Sequence, residues 1–168
     1  MNTRRIYFFM AALILSGGLF AQECPLQKTT DDFSGMPKLT TGFFDLQGID
    51  LTIDATSKEI DYFFVIHNQA ANCIGAESVA VFVFEGGKSS ITLRNTGGDN
   101  CNGYFHNQMK AGQYTPGNVQ KLATKKVVSI TFTDRNEKKT TVSLTPAQQE
   151  KLMKMSDCIA KEAKAMVK

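Results

Sequence analysis

The side chains most able to do chemistry in this chain are four cysteines, Cys24, Cys73, Cys101 and Cys158, and two histidines, His67 and His106. A structural zinc site uses closely spaced cysteine pairs, and no Cys-x-x-Cys occurs here. A catalytic thiol wants a neighbouring base and usually leaves an odd sulfur count. Four cysteines behind an export signal read instead as two structural bridges. His67 closes an apolar run and His106 follows Cys101 by a few residues, so the two could meet at one end of a sheet. Ordinary polar positions are the simpler reading of both. Asp45, Asp50 and Asp54 form a carboxylate row, but sugar chemistry on paired carboxylates needs a cleft with aromatic platforms, and the chain has no Trp. Asp99, Asn100 and Asn102 sit in a glycine-rich loop with one carboxylate between them. Calcium wants several, so the loop reads as a turn. Ser57, Ser89 and Ser90 lie in no Gly-x-Ser-x-Gly elbow, and no glycine-rich phosphate loop is present. The sequence therefore assigns no catalytic residue, no cofactor and no metal ligand.

The setting of those residues starts at the N-terminus. Arg4 and Arg5 precede an apolar run over residues 6–15, and small residues lead to Ala21. This is the pattern of a secretory signal peptide, residues 1–21, with cleavage expected after Ala21. The run is shorter than the roughly 20 residues of a membrane span. Glu23 directly before Cys24 argues against a lipid-bearing cysteine. The remaining residues, 22–168, are enough for one globular domain with a real core, and no later apolar run is long enough to cross a bilayer.

Along that domain the hydrophobic period is mostly two. Ile49, Leu51 and Ile53 alternate with Asp50, Thr52 and Asp54. Residues 60–67 place Ile60, Tyr62, Phe64 and Ile66 on one side and Phe63 and Val65 on the other. Residues 79–84 are likewise apolar on both sides, and these two strands are expected to be central and covered on both faces. Gly86-Gly87 predicts a tight hairpin back into residues 90–94, because the turn needs positive φ. A further strand is expected over 104–109 and a short helical turn over 119–124. Another hairpin follows, with Val128, Ile130 and Phe132, then Val142 and Leu144, inward. Phe43-Phe44 falls between strands and is expected to be core. Thr145, Pro146 and Gln148 supply an N-cap, a first-turn proline and a capping box for a helix over 146–167. Its stripe of Leu152, Met155, Ile159, Ala163 and Met166 has helical spacing. The expected fold is α+β: a mostly antiparallel, curled sheet or sandwich of about six to eight strands with one C-terminal helix, stapled by disulfides.

The hairpin also pairs the sulfurs. Residues facing each other across Gly86-Gly87 have numbers summing to about 173, and those of Cys73 and Cys101 sum to 174. A Cys73–Cys101 bridge follows, and Cys24–Cys158 by elimination. Chain-entropy arguments give the first about 3.5 kcal/mol and the second about 5 kcal/mol.

Removal of Arg4 and Arg5 leaves 17 basic and 16 acidic side chains. A nearly neutral domain gives no support for nucleic-acid binding. The charge is uneven: residues 22–109 carry 5 basic and 11 acidic groups, and residues 110–168 carry 12 and 5. The simplest reading is that the halves neutralise one another within one fold.

The signal ending Leu19-Phe20-Ala21-Gln22, the segment Asp31-Asp32-Phe33-Ser34-Gly35, and Leu122-Ala123-Thr124-Lys125-Lys126-Val127 before a lone terminal helix resemble a loosely defined group of small exported Bacteroidota proteins of unknown function. The resemblance implies kinship of fold and transfers no functional residue. The functional expectation is an exported binding or interaction protein of the cell envelope or extracellular space, with a protein or small ligand as partner. An envelope hydrolase with an unrecognised site, or a purely structural accessory protein, is the alternative.

Overall fold

The computed structural model describes residues 24–32, 34–67 and 73–167. The expected signal peptide, residues 1–21, lies outside the described residues. In chain order the elements are β1 (Gln27–Thr30), β2 (Pro37–Thr40), β3 (Phe44–Asp45), β4 (Ile49–Ala55), β5 (Glu59–Ile66), β6 (Val79–Phe84), β7 (Ser90–Arg94), β8 (Tyr104–Lys110), α1 (Gly117–Thr124), β9 (Val127–Thr133), β10 (Lys139–Ser143) and α2 (Pro146–Met166).

The strands form two antiparallel sheets. The larger runs β1-β2-β4-β5-β8, with β3 also paired to β4; the smaller runs β10-β9-β6-β7. Their inner faces meet through four phenylalanines. Phe64 on β5 and Phe105 on β8 pack on Phe82 and Phe132 of β6 and β9, with Phe64–Phe132 and Phe105–Phe132 centroids 5.3 and 5.4 Å apart. All four rings are buried, so this layer is the centre of the core. Beside it, α2 packs against β4 and β2 of one sheet, β9 of the other, and α1. Leu152, Met155, Ile159 and Ala163 are its buried stripe. The expected capping box is present: Thr145 accepts from the Gln148 N–H, and the Gln148 side chain accepts from the Thr145 N–H at 3.0 Å.

On the side away from α2, side chains stitch the two sheets together. The backbone N–H of His106 donates to Asn95 Oδ1 (2.9 Å), that of Gln108 to Thr96 Oγ1 (2.9 Å), and Asn107 Nδ2 to the Arg94 carbonyl (2.8 Å). Residues 94–96, at the end of β7, thus run beside β8 and make the sandwich curl without a continuous backbone ladder.

The β6–β7 register is 173, as in Val79↔Arg94, and Gly86 and Gly87 both have positive φ. Beyond the ladder the bridge Ile74↔Asn100 has slipped by one, to 174. Cys73 and Cys101 flank that bridge with Cα atoms 3.9 Å apart and are joined. Cys24 and Cys158, with Cα atoms 5.4 Å apart, form the second disulfide. It ties the segment before β1 to the middle of α2. Among the described residues no cysteine is free and no helix is long and apolar enough to cross a membrane.

Three expectations need correction. Ten strands are present among the described residues where about six to eight were expected, because the short strands β1 to β3 carry too few residues for an alternation to show. On β9, Val127 rather than Val128 is buried, because the β6–β9 register shifts between Val83 and Phe84 and the extra residue turns Val127 inward. Strands β5 and β6 are central, each with a neighbour on both sides, but their second faces are only half covered. On β5 that second face is where the charged and aromatic side chains gather.

Candidate functional site

The outer face of the larger sheet collects both histidines and several carboxylates. Register decides which side chains meet. On β5, the residues that do not enter the core are Glu59, Asp61, Phe63 and Val65. Asp61 lies opposite Asp54 on β4 and Gln108 on β8; Phe63 lies opposite Thr52 and His106; Val65 lies opposite Asp50 and Tyr104. Three rows result, with an aromatic one between two acidic ones.

The middle row is built around Phe63. The His106 imidazole stacks on it with centroids 4.2 Å apart and planes 9° from parallel. Phe43 and Tyr104 meet it edge-on at 5.8 and 5.7 Å. Phe43 is 58% exposed and Tyr104 41% exposed, so an aromatic strip crosses the sheet and faces solvent at both ends. The expectation that Phe43-Phe44 is core holds for Phe44 only. Phe44 enters β3 and is buried under the Lys151 ammonium of α2, 5.1 Å from its ring, while the alternation turns Phe43 outward.

Each histidine has its own carboxylate. His106 Nδ1 lies 2.9 Å from Asp61 Oδ2, and His67 Nε2 lies 2.8 Å from Asp50 Oδ2. The two pairs sit on the same face. They are separated by the four-residue offset between Phe63 and His67, about 13 Å along the strand, so the histidines do not converge. Among the described residues no group of three or more His, Cys, Asp or Glu side chains is placed to hold a metal ion, and neither imidazole is hydrogen-bonded to a hydroxyl or thiol. The His106 ring is held on three sides: Phe63 covers a face, Asp61 fixes Nδ1, and Gly97 lies against the Cβ–Cγ–Cδ2 side. A Cβ at Gly97 would sit 3.0 Å from His106 Cδ2, so any larger residue would displace the ring. Buried Asn95 fixes the backbone by bonding His106 N–H, Gly97 N–H and the Gly97 carbonyl.

Next to Phe63 the face dips into a groove of about 590 Å³ between β5 and the β1–β2 turn. Phe63 and His106 close one end, and Asp54, Glu59, Asp61 and Lys38 line it. Lys38 Nζ pairs with Asp54 Oδ2 at 3.2 Å. One oxygen of Asp61, Oδ1, is buried without a partner among the described residues.

The other sequence candidates serve the fold. Asp45 accepts from the N–H groups of Gln47 and Gly48, both at positive φ, and holds the β3–β4 turn. Asn100 bonds four backbone groups from Gly98 to Tyr104, and Asp99 pairs with Arg135 at 3.5 Å. The Ser57 hydroxyl lies 4.0 Å from Met36 Sδ. Inside the core, burial pushes the Tyr62 phenol far above its ordinary range, and Ser156 on α2 pulls it partly back. Neither of these hydroxyls completes a hydrogen bond of good geometry among the described residues. The chain matches no known family model, no curated protein and no solved structure.

Proposed function

We propose that this protein is an exported binding module whose ligand docks on the outer face of the larger sheet. The observation that carries the reading is the aromatic strip: Phe43 and Tyr104, both partly exposed to solvent, flank Phe63 on a face whose opposite side is the buried core. Water-exposed aromatic side chains gathered on one face cost solubility unless they are used for contact. Two disulfides support export to an oxidising compartment, periplasmic or extracellular, and give a small scaffold the stiffness that lets a flat face bind without ordering cost.

The test is amide-resolved NMR of the oxidised domain against a panel of peptides, oligosaccharides and small aromatic compounds. Ligand-induced shifts should cluster on β5, β8 and the loop holding Phe43. Shifts confined to α2 and the smaller sheet, or none with any member of the panel, would overturn the reading.

A second reading, an envelope hydrolase, is favoured by one observation. Asp61 orients His106 at the end of a groove, as a carboxylate orients a general base. Turnover of ester, peptide or phosphate substrates that is lost in His106→Ala would replace the binding reading with this one.

A further inference from the structure

The groove and the strip beside it differ in chemistry, and the pair of them specifies a class of ligand. The strip offers aromatic rings; the groove offers carboxylates. The hydrogen bonds of Glu59 run through its backbone, with Thr56, and its carboxylate has no ion pair or hydrogen bond among the described residues, while Asp61 keeps one oxygen unpaired. Against Asp54, Glu59 and Asp61 the groove sets Lys38, already committed to Asp54, and Lys58. The strands of this sheet all fall within residues 27–110, the half of the chain in which acidic groups outnumber basic ones. Charge and aromatic surface both favour a cation, and guanidinium fits the combination best. It is planar, weakly hydrated, stacks on aromatic faces, and donates in a fork to carboxylates.

We infer that the face binds an arginine-bearing peptide segment. The guanidinium enters the groove between Glu59 and Asp61 against Phe63, and neighbouring apolar side chains lie along Phe43 and Tyr104. The inference rests on the binding-module reading and names its ligand.

The experiment titrates the oxidised protein with a short synthetic peptide alternating arginine and tyrosine. The same peptide with glutamate in place of arginine, and a neutral oligosaccharide, serve as competitors. The arginine peptide should bind with shifts centred on Phe63 and His106, and affinity should fall as salt rises from about 50 to about 500 mM. Glu59→Gln and Asp61→Asn should each weaken it about three- to fivefold, and Phe63→Ala about tenfold. Asp61→Asn keeps an oxygen for His106, so the ring stays placed. Glu85→Gln, on the β6–β7 turn of the other sheet, should change nothing.

Binding of the glutamate peptide or the oligosaccharide at this face, with the arginine peptide inert, overturns the cationic assignment and leaves a binding module. Silence from all three at this face overturns the inference, and silence from the small aromatic compounds as well overturns the binding reading with it. Salt-sensitive self-association of the protein alone, abolished by Asp61→Asn, gives the face to the basic side of a second copy and also overturns the inference.

Discussion

Phe63 and Phe64 are neighbours in sequence with opposite duties, and the contrast can be measured. Phe64 is fully buried and packs on Phe82, Phe105 and Phe132 at 6.0, 6.1 and 5.3 Å. Truncation to alanine leaves a ring-sized cavity between two sheets that side-chain hydrogen bonds stitch together and that do not close on it. Such changes cost about 3–5 kcal/mol, a large share of the roughly 5–15 kcal/mol that holds a domain together. Phe63 is half-buried on the outer face. Its removal loses a stack and two edge contacts that water largely replaces, about 1–1.5 kcal/mol in all. With a urea slope of about 2 kcal/mol per M, the midpoint should fall by about 2 M for Phe64→Ala and by about 0.6 M for Phe63→Ala, with the slope unchanged. Circular dichroism in urea on the oxidised proteins reads both. If Phe64→Ala does not fold, the two leucine variants should keep the same order. Equal costs, or a larger cost at Phe63, would refute the placement of the core between the sheets and with it the open aromatic face. Phe63→Ala should also stay folded while losing ligand, a separation of stability from binding that Phe64 variants cannot give.

Non-reducing peptide mapping of native material should recover Cys24–Cys158 and Cys73–Cys101, and any other partner refutes the fold. Removal of Cys24–Cys158 as a double alanine variant should cost more than removal of Cys73–Cys101, by about 1.4 kcal/mol, because the bridges span 134 and 28 residues. The reverse order in urea melts would show that native contacts, not chain entropy, set their worth. Tyr62 predicts an alkaline limit. Its phenol holds its proton in the folded state above the ordinary value of 10.0, whereas the unfolded chain releases it there. The unfolded state then binds fewer protons, so stability is full below pH 10 and declines above it. Tyr62→Phe should flatten that decline, and an unchanged pH profile would contradict it.

Much of this molecule is written in local pattern. Alternation over residues 49–54, 60–66 and 79–84 fixes strands because side chains of a strand point alternately to two sides. Thr145-Pro146 and Gln148 fix a helix start because their groups bond backbone atoms within one turn. A glycine pair fixes a hairpin, and the hairpin's register carries Cys73 to Cys101; these are interactions over short distances in the chain, and the residue types suffice. Alternation states that β5 has two apolar sides but not what lies against each. The smaller sheet landed on Phe64, whereas Phe63 meets the rings of His106, Phe43 and Tyr104 on the outer face, a result of where β6, β9 and α2 pack. The same holds for Phe43 and Phe44, split by one turn of the backbone at β3, and for His106 and Asp61, which come together across 45 residues because β8 pairs with β5 rather than with β7. Such pairings depend on sheet order, a property of the whole packed chain, and so the candidate site became visible only once the two sheets were in place.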